Sequence, residues 1–164
     1  MKNDAAVACT IESPESSDAR RLIAQLDEEL YARYPQNAVH GLHASEVANW
    51  QGIFVIARID GRAVGCGAVR PLASGVGEVK RMFVEPDFRG RSVGRKILEG
   101  LEAWAREEGF ITLRLETGIR QPEAIGLYES MGYRQIPPFG EYIGNPFSVC
   151  YEKWLKESGR TEAA

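Results

Sequence analysis

Between Lys80 and Lys96 the chain places six cationic side chains (Lys80, Arg81, Arg89, Arg91, Arg95, Lys96) against two acidic ones (Glu85, Asp87). The whole chain has a formal net charge of −3, so this surplus is local. The segment reads EVKRMFVEPDFRGRSVGRKIL from Glu78 to Leu98. It has the pattern of a strand that passes through a tight, glycine-containing turn into a helix. The first N–H groups of a helix have no intrahelical partner, and the positive end of the helix dipole favours an anion there. Gly90 and Gly94 allow the backbone to approach a ligand closely. Arginines add direct contacts to phosphate oxygens. The chemistry indicated is the binding of a phosphorylated ligand. Neither a GxxxxGK[ST] loop nor a GxGxxG dinucleotide fingerprint occurs.

The elements that must position this turn follow from periodicity. Val7–Glu12 reads as a first strand. Leu22, Ile23, Leu26 and Leu30 recur at helical spacing, which predicts a helix over 18–33, stopped by Tyr34-Pro35. Residues 35–50 read as a loop with His40 and His43 and a short helix near Ala44–Trp50. Ile53–Ile59 and Ala63–Arg70 are strands joined by Asp60-Gly61, a two-residue hairpin signal. Glu78–Val84 is the next strand. Residues 93–108 form the strongest helix, with Val93, Ile97, Leu98, Leu101, Trp104 and Ala105 on one face. Arg95, Lys96, Glu99, Glu102 and Arg106 lie on the other. Ile111–Glu116 is a strand, Ala124–Met131 a shorter helix, Tyr133–Ile136 a short strand and Val149–Trp154 the last one. The loop Pro137–Phe147, with Phe139, Tyr142 and Phe147, either closes over a site or packs. Lys156–Ala164 reads as a tail. Short turns between early strands indicate antiparallel pairing, and the strand–helix–strand stretch over 78–116 indicates one parallel pair. A mixed α/β sheet with helices on both faces is the economical solution.

The 164 residues suit one domain, with a core over about 5–155. A sequence pI of about 5.5 argues against a nucleic-acid or anionic-membrane binder. No run is long enough to span a membrane, and no secretory leader is evident at the N-terminus. Cys9, Cys66 and Cys150 are scattered and never at CxxC spacing, which speaks against a disulfide framework or a metal site. A reducing cytoplasm is the expected location.

Arg89-Gly90-Arg91-Ser92-Val93-Gly94 resembles Arg/Gln-x-x-Gly-x-Gly/Ala, the coenzyme A pyrophosphate loop of the GNAT N-acetyltransferase superfamily. Ser92 replaces the usual middle glycine, which leaves the backbone geometry at that position open. Gln121-Pro122-Glu123-Ala124-Ile125-Gly126-Leu127-Tyr128-Glu129-Ser130-Met131-Gly132-Tyr133 is similar to the second signature of that family, Asn-x-x-Ala-x-x-Leu-Tyr-x-x-x-Gly-Phe. Gln121 stands for the frequent Asn and Tyr133 for the frequent Phe.

The resemblance implies a mostly antiparallel sheet of six to seven strands with a splayed central parallel pair. It implies acetyl-CoA as co-substrate, no metal, and acetyl transfer to a primary amine of a small molecule by direct attack. An amino acid or another carboxylated amine is one such acceptor. The alternatives are a peptide or protein N-terminus, or a binding module that senses acyl-CoA without turnover. The coenzyme arm is expected along Met82, Phe83 and Val84. Its pyrophosphate is expected over Arg89, Gly90, Arg91, Ser92, Val93, Gly94 and Arg95, with Gln121 and Tyr128 alongside. Glu78 is placed as a general base, needed because an amine of pKa about 10.4 is neutral in only roughly one molecule in 2,500 at pH 7. Its alternative is a strand-end carboxylate paired with a cation. Tyr128 is placed as donor to the departing sulfur; its alternative is a core tyrosine on the Ala124/Leu127/Met131 face. Tyr31, Tyr34 and Arg81 are expected on the acceptor side, Arg81 either as a holder of a substrate carboxylate or as a phosphate contact or solvated cation. Relatives are often homodimers, but no stripe in this chain marks an interface.

Overall fold

The computed structural model describes residues 6–39, 49 and 51–155. Seven strands form one sheet: β1 (Val7–Ile11), β2 (Ile53–Ile59), β3 (Arg62–Ala73), β4 (Val76–Val84), β5 (Thr112–Gly118), β6 (Arg134–Ile136) and β7 (Ser148–Trp154). Three described helices flank it: α1 (Ser17–Arg33), α2 (Val93–Glu107) and α3 (Pro122–Ser130). The strand order is β1-β2-β3-β4-β5-β7-β6, and β4–β5 is the parallel pair in an otherwise antiparallel sheet. This is the expected mixed sheet. The expected helix near 44–50, both histidines and the tail 156–164 lie outside the described residues.

Local chemistry explains the main elements. In β2, Ile53, Val55, Ala57 and Ile59 enter one core cluster while Phe54 and Ile56 enter the other, so the strand is apolar on both faces. Asp60 (φ 49°) and Gly61 (φ 81°) take the two left-handed positions that the hairpin signal called for. Ser16 caps α1, its Oγ accepting from Ala19 N–H at 3.2 Å. Ala19, Leu22, Ile23 and Leu26 of α1 pack on Phe54, Ile56, Cys66 and Phe83. On the opposite face α2 buries Val93, Ile97, Leu98, Leu101 and Ala105. Glu102 departs from its expected solvent side. It is buried, and its carboxylate receives Lys153 Nζ at 2.6 Å and Tyr133 Oη at 3.3 Å.

The central pair is splayed. β4 and β5 are in register only from Val76↔Thr112 to Val79↔Leu115. Beyond that β4 stays with β3 as far as Gly65↔Val84, and β5 stays with β7 as far as Gly118↔Ser148. A bulge in β4 accompanies the parting. Cys66 pairs with Phe83 and Ala68 with Lys80, so Gly67 alone faces both Arg81 and Met82. Arg81 takes φ 59°, a left-handed value rare for a non-glycine residue. A bulge bends its strand and re-aims side chains. Gly67 permits this close packing, because a Cβ there would lie 2.6 Å from Met82 Sδ and 2.8 Å from Ile97 Cγ2.

Candidate active site

The parted strands open a cleft of about 410 Å³. Met82, Phe83 and Val84 of β4 form one wall, and Gln121, Ala124, Leu127 and Tyr128 form the other. Gly90 and Ser92 to Arg95 close one end. Gly90 (φ 76°) and Ser92 (φ 63°, ψ 18°) are both left-handed. Serine therefore keeps a backbone geometry that glycine adopts freely. Left-handed residues in a turn direct N–H groups into a common hollow, an anion-binding arrangement. The first rung bonded back to that turn, Lys96 N–H to Ser92 C=O at 3.1 Å, leaves the earlier amides of α2 for a ligand. At Gly94 an added Cβ would lie 3.1 Å from Leu127 Cδ2, so this glycine keeps the cleft open between α2 and α3.

The arginines of the turn divide. Arg89 lines the cleft, donating through Nε to Val84 C=O (2.9 Å) and through Nη2 to both oxygens of Glu29 (2.9 and 3.1 Å). Arg95 lines it and donates to Ser130 Oγ at 3.0 Å. Arg91 does not line the cleft. Its guanidinium lies over the Phe88 ring, 5.4 Å from the centroid. Val93 lines the cleft and is also part of the buried core.

A smaller cavity of about 90 Å³ adjoins the cleft. Met82, Gln121, Ala124 and Tyr128 are common to both, so they form the partition. The far side carries Lys80, Arg81, Glu116, Thr117 and Tyr142. Burial pushes the Glu116 carboxyl up to about 7, against a partly offsetting hydrogen bond from Ser148 Oγ (2.6 Å). Burial, and secondarily the Glu116 charge, pushes the Tyr128 phenol far above its ordinary value, so it remains protonated. Burial lowers the Lys80 pKa.

Glu78, expected as the base, lines neither cavity. It is fully buried, with Oε1 accepting from Arg70 Nε at 2.7 Å and Oε2 from Tyr142 Oη at 2.6 Å. Lys80 Nζ in turn donates to Tyr142 Oη at 2.7 Å. The loop residue Tyr142 thus ties the β6–β7 connection to β4. Tyr31 is exposed and lines no described cavity. Tyr34 is buried and lines a third hollow of about 50 Å³, where Phe147 meets its ring edge-on at 5.9 Å.

Tyr34 also holds the turn that follows β5. Its Oη accepts from Arg120 N–H at 2.9 Å, and Gln121 Oε1 accepts from Gly118 N–H at 3.2 Å. Gly118 has no room for a Cβ, which would overlap Tyr34 Oη. Gly118→Ala is therefore expected to destabilise the protein by about 2–4 kcal/mol, in the range of overpacked cores combined with a lost buried hydrogen bond. Urea unfolding measures this. An unchanged midpoint would mean that Tyr34 is not a strut.

Glu116, Lys80 and Thr117 are residues that the sequence did not assign to an acceptor cavity, whereas Tyr142 belongs to the loop read as closing over a site or packing. Glu116 carried one signal, a carboxylate at the end of an apolar strand predicted to belong to the parallel pair. The others are brought in by the bulge and the loop. Among the described residues no group of three or more His, Cys, Asp or Glu could hold a metal ion. Cys66 and Cys150 are buried free thiols with pKa values raised by burial, Cys66 to about 12. No described helix is long and apolar enough to cross a membrane.

Comparison with known proteins agrees with this architecture. The model of the Acetyltransferase (GNAT) family matches residues 17–133. The IAA acetyltransferase of Azospirillum brasilense is 42% identical over 145 residues, covering 88% of this chain and 95% of that protein. A Klebsiella pneumoniae structure described as a candidate acyl-CoA N-acyltransferase superposes with a TM-score of 0.78 at 36% identity, over 93% of this chain and 99% of that one. A GNAT acetyltransferase from Elizabethkingia anophelis, solved with acetyl-CoA bound, shares the fold with a TM-score of 0.69 at 15% identity, over 94% and 100% of the two chains.

Proposed function

The chain belongs to the GNAT acetyltransferase family, a family of acyl-CoA N-acetyltransferases, and we propose that it transfers an acetyl group from acetyl-CoA to the primary amine of a small molecule. One observation carries this reading. Tyr128 stands in the partition between a cleft capped by an anion-binding turn and a smaller cavity lined by Glu116, whose carboxyl burial pushes up to about 7.

The cleft suits coenzyme A. Its left-handed turn offers amides to a diphosphate, and the β4 edge beyond Val79 has no β5 partner, leaving room for an extended arm to add as a pseudo-strand. Bound acetyl-CoA supplies the activated thioester. Gly90, Ser92, Gly94 and Arg95 hold the diphosphate end, and backbone N–H groups of β4 near Phe83 polarise the carbonyl. Glu116, rather than the encased Glu78, accepts the ammonium proton, directly or through one water. A pKa near 7 is matched to that task at neutral pH. Tyr128, held protonated by burial, donates to the sulfur as it departs.

CoA release, followed with a thiol reagent across a panel of amines, tests the reading. Turnover with a small amine is expected. Tight acetyl-CoA binding with no turnover on any amine would point to a sensor. Tyr128→Phe is expected to lower kcat about 10- to 100-fold while acetyl-CoA affinity changes less than about threefold, as for a donor acting at the reaction step. Equal turnover would reduce Tyr128 to packing.

A further inference from the structure

β4 places two consecutive cationic side chains, Lys80 and Arg81, around one small cavity. A regular strand sends consecutive side chains to opposite faces. Here the bulge and the φ of 59° at Arg81 override that alternation. Left-handed strain at a non-glycine residue persists only where the surroundings impose it, and it concentrates at functional sites.

Arg81 is incompletely matched. The Arg81 side chain is 3% exposed and gives Nη2 to Asp27 at 2.8 Å, but its Nε is buried with no partner among the described residues. Thr117 Oγ1, on the same cavity, is likewise buried without one. Lys80 Nζ makes its short bond to the neutral Tyr142 hydroxyl, while the carboxylates of Glu78 and Glu141 stand at 3.9 and 3.8 Å. A buried donor left unpaired is unfavourable, and an acidic group entering the cavity would meet it with charge-assisted hydrogen bonds.

The neighbouring hollow is different. Leu30, Tyr34, Ala38, Val39 and Phe147 give it an apolar lining, and Leu30, Glu116 and Gln121 are common to both spaces. The two measure about 90 and 50 Å³, far below the size of an ordinary drug-sized pocket.

Building on the acetyltransfer reading above, we infer that the acceptor is a compact α-amino acid. Its carboxylate sits between Arg81 Nε and Lys80 with Thr117 Oγ1 donating, its amine faces Glu116, and its short apolar side chain enters the hollow of Tyr34 and Phe147. The bulge is then a specificity device. It turns Arg81 so that an amine lacking an acid group leaves the Arg81 Nε donor unmet. Bulky side chains and peptides exceed the described space.

The test pairs L-alanine and L-valine with their amides, which keep the amine and the body but remove the acid. With acetyl-CoA saturating, kcat/KM for the acids is expected to exceed that for the amides about 100-fold, expressed mainly in KM. In Arg81→Gln the ratio is expected to fall to within a few-fold of one. Amides that match the acids in the unaltered protein, or a ratio of about 100 that survives Arg81→Gln, would overturn the inference. Titration of the same compounds into the CoA-loaded unaltered protein by calorimetry needs neither turnover nor a variant. Acids that bind while amides do not, with no acetylation of either, would sustain the acid subsite and remove the acetyltransfer reading. Acetylation of the amides without tighter binding of the acids would do the reverse. Binding of neither acids nor amides would overturn the subsite.

Discussion

Glu116→Gln is expected to lower kcat/KM by about 10²–10³-fold at pH 7 for amines of high pKa, the range for a positioned general base. The pH profile is the sharper readout. In the unaltered protein the acid limb should bend near 7, where Glu116 loses its proton. In the variant that bend should vanish, and the rate should climb about tenfold per pH unit toward the pKa of the amine itself. An amine of lower pKa should suffer less, because more of it is already neutral.

The same substitution has a stability signature of determined sign. The folded-state pKa of Glu116 is raised, so between the ordinary carboxyl value and about 7 the folded protein holds a proton that the unfolded chain has released. Stability therefore falls as pH rises through that window, and the deficit persists above it. Removing the charge removes the deficit. Glu116→Gln should be more stable than the unaltered protein at pH 8, by on the order of 1–3 kcal/mol, and nearly equal to it at pH 4. A variant that is slow, insensitive near pH 7 and stabilised at alkaline pH fits a buried base. A variant with full activity and the original bend assigns the proton transfer elsewhere, and Glu78 is the next carboxylate to test.

The second large effect is expected at Gly94. A leucine there projects its first carbon to 3.1 Å from Leu127 Cδ2 and 3.8 Å from Val84 Cγ2, and its remaining atoms fill the cleft where α2 begins. Acetyl-CoA affinity should fall by about 10²-fold or more in Gly94→Leu. Folding should be little changed, because the added atoms enter a ligand cleft and leave the packed core intact. Calorimetric titration with acetyl-CoA, with thermal unfolding alongside, measures both. Unchanged affinity would mean that the coenzyme does not cross this turn. A collapse in stability without ligand would mean that Gly94 is a packing position.

Much of this site is legible in the order of residues. The run from Arg89 to Gly94 carries its chemistry locally, because a turn and the helix it opens are set by residues a few positions apart. Tyr128 lies on a helix whose start and stop, Pro122 and Gly132, are local signals too. The hairpin at Asp60-Gly61, the cap at Ser16 and the two-faced β2 follow for the same reason.

Glu78 and Glu116 show where local order runs out. Both are carboxylates on apolar strands of the parallel pair; the resemblance singles out Glu78, and nothing local to either residue tells which one keeps an open face. Tyr142 and Arg70, remote from each other along the chain, converge on Glu78 and occupy both its oxygens. Glu116 lies past the last β4–β5 register pair, where the gap leaves its carboxyl facing a cavity.

The phosphate-binding turn, the helix that bears Tyr128 and the mixed sheet that joins them are written in the chain, because each rests on periodicity and on the backbone preferences of neighbouring residues. Which carboxylate has an open face, how far the central strands part, and that Lys80 and Arg81 share a cavity are settled in three dimensions. Those outcomes depend on a bulge set by cross-strand register and on a loop tyrosine, distant along the chain, whose hydroxyl stands 2.6 Å from Glu78. Desolvation and encounter are properties of space, and a linear order of residues does not contain them.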